Sequence, residues 1–99
     1  MARITFERSG GIVGQEISLN LEINSLAAAE AQNLLQLVNK ADFLKLPEDL
    51  IALSTPDEFQ YTITLESGDS RHTVRVSDTS APESLRMLLE ELTILATIG

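Results

Sequence analysis

The sequence predicts an α+β domain, a four-stranded antiparallel sheet with two helices packed on one face, in the order ββα–ββα. Four segments alternate apolar and polar residues, and two others repeat apolar residues at helical spacing. Turn-forming residues join the alternating segments in pairs, which predicts a hairpin followed by a helix in each half of the chain. Because each strand has only one apolar face, we expect an antiparallel sheet covered on one side.

The first predicted hairpin pairs residues 3–8 with residues 16–23. Ile4 and Phe6 share one face of the first strand, and the inward positions of the second are Ile17, Leu19, Leu21 and Ile23. Between the strands lies the stretch RSGGIVG, residues 8–14, whose three glycines predict a turn.

The tip of this turn carries two adjacent β-branched hydrophobic residues, Ile12 and Val13. A turn that only reverses the chain favours Asn, Asp or Ser beside its glycines. Two interpretations stay open. The side chains either fold back on the sheet as part of a bulge or are exposed on a contact surface.

The second predicted hairpin pairs residues 59–66 with residues 72–77 around a turn at residues 67–70. The connection before it, residues 47–58, is the longest irregular segment that the pattern predicts. If short connections dominate, this segment, the RSGGIVG turn and residues 78–80 lie at the same end of the sheet. The turn at Gly68 and Asp69 then lies at the opposite end.

Each hairpin is followed by a predicted helix. The first begins after Ser25 as N-cap, and its apolar stripe is Ala27, Ala31, Leu34, Leu35, Val38 and Ala41. The second begins with a capping box, Ser80-Ala81-Pro82-Glu83, and its stripe is Leu85, Leu88, Leu89, Leu92 and Leu95. Phe43 and its neighbours are expected to close the edge of the core after the first helix.

Composition narrows the classes of function. Ninety-nine residues predict a single domain, residues 1–99, with a modest core. A net charge of −8 opposes binding to nucleic acid or to an anionic membrane, so we expect neither partner. The chain has no cysteine, and its first residues enter a strand pattern without a signal-peptide core. We therefore expect a cytoplasmic protein.

Groups suited to catalysis are few. His72 is the only histidine, so a histidine-rich zinc site cannot be built within one copy, and a partly buried, hydrogen-bonded ring is expected. The carboxylates at turns and element ends, such as Asp69 and Asp78, are expected to cap elements or form Asx-turns. The residues alone predict a small acidic binding module and not an enzyme.

Five stretches, taken in order, give the chain a resemblance to a known family. They are RSGGIVG and the segments 41–47, 56–61, 71–74 and 82–86, written ADFLKLP, PDEFQY, RHTV and PESLR. Together they resemble the emfourin family, protein inhibitors of protealysin-like proteases, which are zinc enzymes of the thermolysin family. The resemblance covers nearly the full length of the chain.

The resemblance implies inhibition without catalysis by two neighbouring loops, one supplying an aspartate to the zinc of the protease and the other apolar residues to its substrate pockets. Carried over to this sequence, Asp57 is the expected zinc ligand and Asp69 the second choice. The expected protease-binding residues are Gly11, Ile12, Val13, Pro56, Asp57 and Glu58. We expect no cofactor, no metal of its own and a monomeric state. Ile12 and Glu58 differ from the aromatic and basic residues that we associate with the family there.

Two other functions compete with inhibition. A generic interaction module would lend a sheet edge to another chain. A small enzyme or metal binder would bring His72 together with Asp78.

Overall fold

A computed structural model describes residues 2–10, 16–50, 58–78 and 80–98. The strands are β1 (Ala2–Gly10), β2 (Ile17–Glu22), β3 (Phe59–Ser67) and β4 (Ser70–Ser77), and the α-helices are α1 (Ala28–Lys40) and α2 (Glu83–Ile98). Two short 3₁₀ turns, Ile23–Ser25 and Phe43–Lys45, flank α1. The predicted α+β class and ββα–ββα order are confirmed.

The four strands form one antiparallel sheet in the order β2-β1-β3-β4. The central strand β1 pairs with β2 on one side and with the full length of β3 on the other, from Ala2 opposite Ser67 to Gly10 opposite Phe59. Residues 8–10, which the glycine pattern assigned to the turn, therefore belong to the strand.

The core lies between the helices and one face of the sheet. Ile4 and Phe6 of β1 lie opposite Leu65 and Ile63 of β3, and all four side chains are buried. The predicted stripe of α2 packs on this face, with Leu85, Leu88, Leu89 and Leu92 buried. Burial of one such side chain stabilises the fold by roughly 1.5–3 kcal/mol.

The start of α1 differs from the prediction. The hydroxyl of Ser25 donates to the carbonyl of Glu22 at 2.7 Å inside the 3₁₀ turn, so it is not free to cap the helix, which begins at Ala28. The stripe is also rotated: Leu37 is buried, whereas Leu35 is 42% exposed. The buried positions are Leu34, Leu37, Val38 and Ala41, which follow the spacing of one helical face.

The predicted capping box of α2 is also wrong. The hydroxyl oxygen of Ser80 accepts the backbone N–H of Ser77 at 2.8 Å, and the helix begins only at Glu83. Ser80 thus tightens the turn that leaves β4 and does not cap the helix that follows it.

Part of the connection that was expected to be irregular pairs with the sheet. The N–H of Leu50 donates to the carbonyl of Arg75, and the N–H of Arg75 donates to the carbonyl of Glu48, both at 2.8 Å. This short parallel pairing covers the outer edge of β4, so β2 provides the other edge of the sheet. Neither helix in the described part of the chain is long and apolar enough to cross a membrane.

Candidate functional site

Strand pairing brings the flanks of two segments, residues 11–15 and 51–57, to one end of the sheet. Gly10, the last residue of β1, lies opposite Phe59, the first residue of β3, and Ile17 of β2 lies opposite Arg8. We call the described residues here, 8–10, 16–17, 58–61 and 78, the loop end. The opposite end, with Ala2 and residues 67–70, is the turn end.

Gly10 permits a close approach between two chain segments at the loop end. Its φ is +87°, a left-handed value, and a Cβ atom at this position would lie 2.8 Å from the carbonyl oxygen of Glu58. Any side chain would therefore push β1 away from the residue that precedes β3. Glycine is required where the chain leaves β1 for residues 11–15.

Asp78 connects the start of β3 to the end of β4. One carboxylate oxygen accepts the hydroxyl of Tyr61 at 2.7 Å and the other accepts the backbone N–H of Phe59 at 3.2 Å. The carbonyl of Asp78 accepts a guanidinium N–H of Arg86 from α2 at 2.7 Å. Two strands and a helix are thus joined beside the point where residues 51–57 enter the sheet, and Asp78 is neither a helix cap nor the centre of an Asx-turn.

The environment of Tyr61 reflects this connection. Burial of the phenol, followed by its hydrogen bond to the Asp78 carboxylate and the negative charge there, raises the pKa of Tyr61 to about 12. A deprotonated phenol would lose the hydrogen bond that it donates and would face a carboxylate. The folded protein therefore favours the neutral form of the Tyr61 hydroxyl.

Arg8 lies on the helix-facing side of the sheet, on the face it shares with Ile4 and Phe6. Its guanidinium carbon lies 4.3 Å from the centre of the Phe59 ring, within the range of a cation–π contact. Its Nε atom is buried, as is Oε2 of Glu58, and neither has a hydrogen-bond partner in the described part of the chain. Unpartnered buried polar atoms cost free energy, and the two found among the described residues both lie at the loop end.

The residues expected to contact a protease lie mostly outside the described ranges. Gly11, Ile12, Val13, Pro56 and Asp57 belong to the segments for which no structure is described. Glu58 is described and is half-buried at the loop end. The strands thus bring together the flanking residues on which the assignment depends, Gly10 on one side and Glu58 on the other.

Asp69, the second choice of zinc ligand, lies at the turn end. It is exposed in the turn between Ser67 and Ser70. The nine residues of β3 separate this turn from Phe59 and Gly10 by roughly 26 Å, at ~3.3 Å per residue. Asp69 is therefore not a neighbour of Gly10 or Phe59 at the loop end.

The alternative site of His72 with Asp78 is wrong. His72 Nε2 lies 2.8 Å from the carbonyl oxygen of Leu46, and its ring meets the Phe43 ring edge-on at 5.6 Å, which confirms the expected partly buried, hydrogen-bonded ring. Six residues along one strand separate His72 from Asp78 by roughly 20 Å. Among the described residues no group of three or more His, Asp or Glu side chains is placed to hold a metal ion.

Sequence reasoning missed Arg8 and the connecting role of Asp78. The alternation of Ile4 and Phe6 does place Arg8 on the same inward face, and this was the available signal. The partners of Asp78 could not be found in this way, because they depend on β3 and β4 pairing in one particular register.

Comparison with known proteins gives a family and one similar structure. The sequence model of the Emfourin family matches residues 6–93. No curated protein matches the chain. Among solved structures, the chain is similar to emfourin (M4in) from Serratia proteamaculans, an M4 family peptidase inhibitor, with 19% sequence identity, coverage of 88% of this chain and 84% of that chain, and a TM-score of 0.48.

Proposed function

This chain belongs to the Emfourin family, and from that membership we propose that it inhibits thermolysin-family (M4) zinc metalloproteases by blocking their active site. Emfourins are inhibitors, and the chain is not an enzyme. We further propose that residues 11–15 and 51–57 act together, with Asp57 on the zinc ion of the protease and Ile12 and Val13 in its substrate pockets.

The pairing of Gly10 with Phe59 is the observation that supports this mechanism best. The chain leaves β1 for residues 11–15 after Gly10, and it reaches β3 at Phe59 after residues 51–57 and Glu58. These two points are on adjacent strands, which lie about 5 Å apart. Two segments that leave a sheet side by side can enter one cleft together. The connection through Asp78 to β4 and α2 gives the second segment a fixed base.

The zinc chemistry explains why a carboxylate blocks the enzyme. A catalytic zinc keeps three protein ligands and one open position, where the attacking water binds. A carboxylate oxygen at ~2.0–2.2 Å would take this position and exclude the nucleophile. Asp57 would bind the metal of the protease without presenting a peptide bond to it, so the inhibitor would not be cleaved.

Apolar burial would supply the rest of the affinity. Transfer of one Ile or Val side chain from water into a pocket contributes roughly 1.5–3 kcal/mol. Ile12 and Val13 are adjacent, so one or both could fill pockets beside the zinc. Gly11, Pro56 and Glu58 flank these residues and would complete the contact.

An inhibition assay tests the proposal directly. The full chain is titrated against thermolysin and the inhibition constant is measured at several substrate concentrations. We expect competitive inhibition, weakened at least about 10-fold by Ile12→Asp, because a charge in an apolar pocket loses the burial term and adds a desolvation cost.

The parent protein and the variant test different parts of the proposal. Absence of inhibition by the folded parent across several M4 enzymes would contradict the function. Full potency of the Ile12→Asp variant would leave the function intact and reject the apolar contact.

The edge strand β2 supports a second function, an interaction module that adds a strand from a partner. In the described part of the chain β4 is covered by residues 48–50 and β2 is not covered in this way. Residues 17–21 contain neither charge nor proline, the usual protections of an edge. A proline at Ser18 would weaken partner binding in this case, whereas changes at residues 12 and 57 would not.

A further inference from the structure

A groove of about 670 Å³ lies between the loop end of the sheet and α2. Its apolar wall includes Phe59 from β3, with Leu89 and Ile94 from α2. Ile94 is 51% exposed, although it is a large hydrophobic side chain. The volume falls in the range of small-molecule sites, and the wall is of the apolar kind that such sites use.

Two guanidinium groups, those of Arg8 and Arg86, also line this groove. Neither lies within 4.0 Å of a described carboxylate, whereas Arg3 at the turn end is paired with Glu22. The chain has only seven cationic side chains against fifteen acidic ones, so it is notable that two cations in one groove form no ion pair with a described carboxylate. Arg8 makes no hydrogen bond to a described residue: its Nε is buried without a partner in the described part of the chain, and its guanidinium carbon lies over the Phe59 ring.

Three other polar side chains of the groove make hydrogen bonds within the protein. The hydroxyl of Tyr61 donates to Asp78, and the hydroxyl of Thr93 donates to the carbonyl of Leu89 at 2.7 Å. Each oxygen of the Asp78 carboxylate accepts one hydrogen bond. Glu90 adds an exposed carboxylate at the rim. Among the described residues of the groove, Arg8 and Arg86 supply guanidinium N–H donors that are in no ion pair with a described carboxylate, and a ligand with an acceptor group can use them.

We propose that this groove binds a small organic acid, a single carboxylate on an apolar body. The carboxylate would accept N–H groups from Arg8 and Arg86, and the apolar body would cover Phe59, Leu89 and Ile94. Guanidinium groups bind carboxylates with two parallel hydrogen bonds, which is the geometry that an Arg without an ion pair leaves open. The inference does not depend on protease inhibition, because it is argued from described groove residues and is tested with a small ligand and no protease.

The test is a titration of the ¹⁵N-labelled full chain with octanoate, followed by NMR. We expect shifts of the amide signals of Phe59, Tyr61 and Leu89. Octanamide, which has the same chain but no charge, and octylamine, which has the opposite charge, are the matched ligands. We expect both to bind at least about 10-fold more weakly, because a charge-assisted hydrogen bond contributes more than a neutral one.

Variants distinguish the groove from general attraction to positive charge. Arg8→Gln and Arg86→Gln are each expected to weaken octanoate about 10-fold, and Arg71→Gln, an exposed cation at the turn end, is expected to leave it unchanged. Equal binding of octanoate and octanamide, or shifts that map outside the groove, would overturn the proposal. If Arg8→Gln fails to fold, Arg86→Gln and the ligand comparison still decide the question.

Discussion

The two ends of the sheet both depend on a glycine with a left-handed backbone, yet the two glycines have different surroundings. At the turn end, Gly68 has a φ of +59°, and an added Cβ would meet no atom within 4 Å. At the loop end, an added Cβ on Gly10 would collide with the backbone of Glu58. Gly68 only allows the chain to reverse, whereas Gly10 also allows two segments to approach each other.

The polar groups of the two ends differ in the same way. Arg3 at the turn end donates to Glu22 at 2.7 Å in an exposed ion pair. Arg8 at the loop end covers an aromatic ring and has no such partner among the described residues. Among the described residues, the buried side-chain polar atoms without a hydrogen-bond partner lie at the loop end, and none lies at the turn end. We take this difference as the mark of a surface that contacts other molecules.

Alanine at the two glycines gives the largest expected difference in stability. Gly10→Ala combines an unfavourable φ with a backbone collision and is expected to lower the free energy of unfolding by about 2–4 kcal/mol. Gly68→Ala meets only the unfavourable φ and is expected to cost about 1 kcal/mol. Urea unfolding of both variants measures the difference, and equal costs would contradict the close approach at Gly10.

The titration of Tyr61 sharpens the comparison at the loop end. Tyr61 is the only tyrosine and the chain has no tryptophan, so absorbance at alkaline pH reports this residue alone. We expect its pKa at about 12 in the folded protein and near 10 in urea. Asp78→Asn removes the negative charge and is expected to lower the folded value. A folded pKa near 10 would contradict the burial of this hydroxyl against Asp78.

The same shift predicts how stability depends on pH. The pKa of Tyr61 is raised on folding, so the unfolded chain releases its proton first as pH rises. The stabilising contribution of the Tyr61 hydroxyl to the free energy of unfolding is therefore complete below about pH 10 and is lost between about pH 10 and pH 12. Tyr61→Phe should remove this part of the pH dependence, as measured by urea unfolding at a series of pH values.

The smallest effect is expected at the turn end. Arg3→Gln removes an ion pair whose two side chains are about half exposed. Solvent and salt screen such pairs, so the urea midpoint should stay within experimental error of the parent value. A clear loss of stability would mean that the turn end depends on its ion pair more than its exposure indicates.

Local patterns in the sequence were sufficient to predict the class of fold and which strand ends lie together at each end of the sheet. The alternation through Ile4 and Phe6 and through Ile63 and Leu65 specifies which side chains face the helices, because the period of two is a property of each strand alone. The apolar stripe of α2 was equally readable, since Leu85 to Leu92 follow one helical face.

The helix caps and the contact partners of individual polar side chains were less predictable. Ser25 and Ser80 both have the residue type of an N-cap, but each hydroxyl bonds to a neighbouring turn in place of the helix. Several local hydrogen bonds compete for a serine, and the sequence does not rank them. The contact of Arg8 with Phe59 depends on β1 and β3 being adjacent, which is a long-range pairing that no short pattern contains. The contacts of Asp78 depend on the register in which β3 and β4 pair.

If inhibition comes from the loop end and not from the turn end, a matched pair of aspartate variants should separate the two ends. Asp57 directly precedes Glu58 of the loop end in the sequence, and Asp69 lies at the turn end, so Asp57→Asn and Asp69→Asn make the same chemical change on the two sides of this comparison. The inhibition constant for thermolysin should rise at least about 100-fold for Asp57→Asn, because the amide is a much poorer zinc ligand than the carboxylate. It should be unchanged for Asp69→Asn. A large loss with Asp69→Asn and none with Asp57→Asn would contradict inhibition by the loop end.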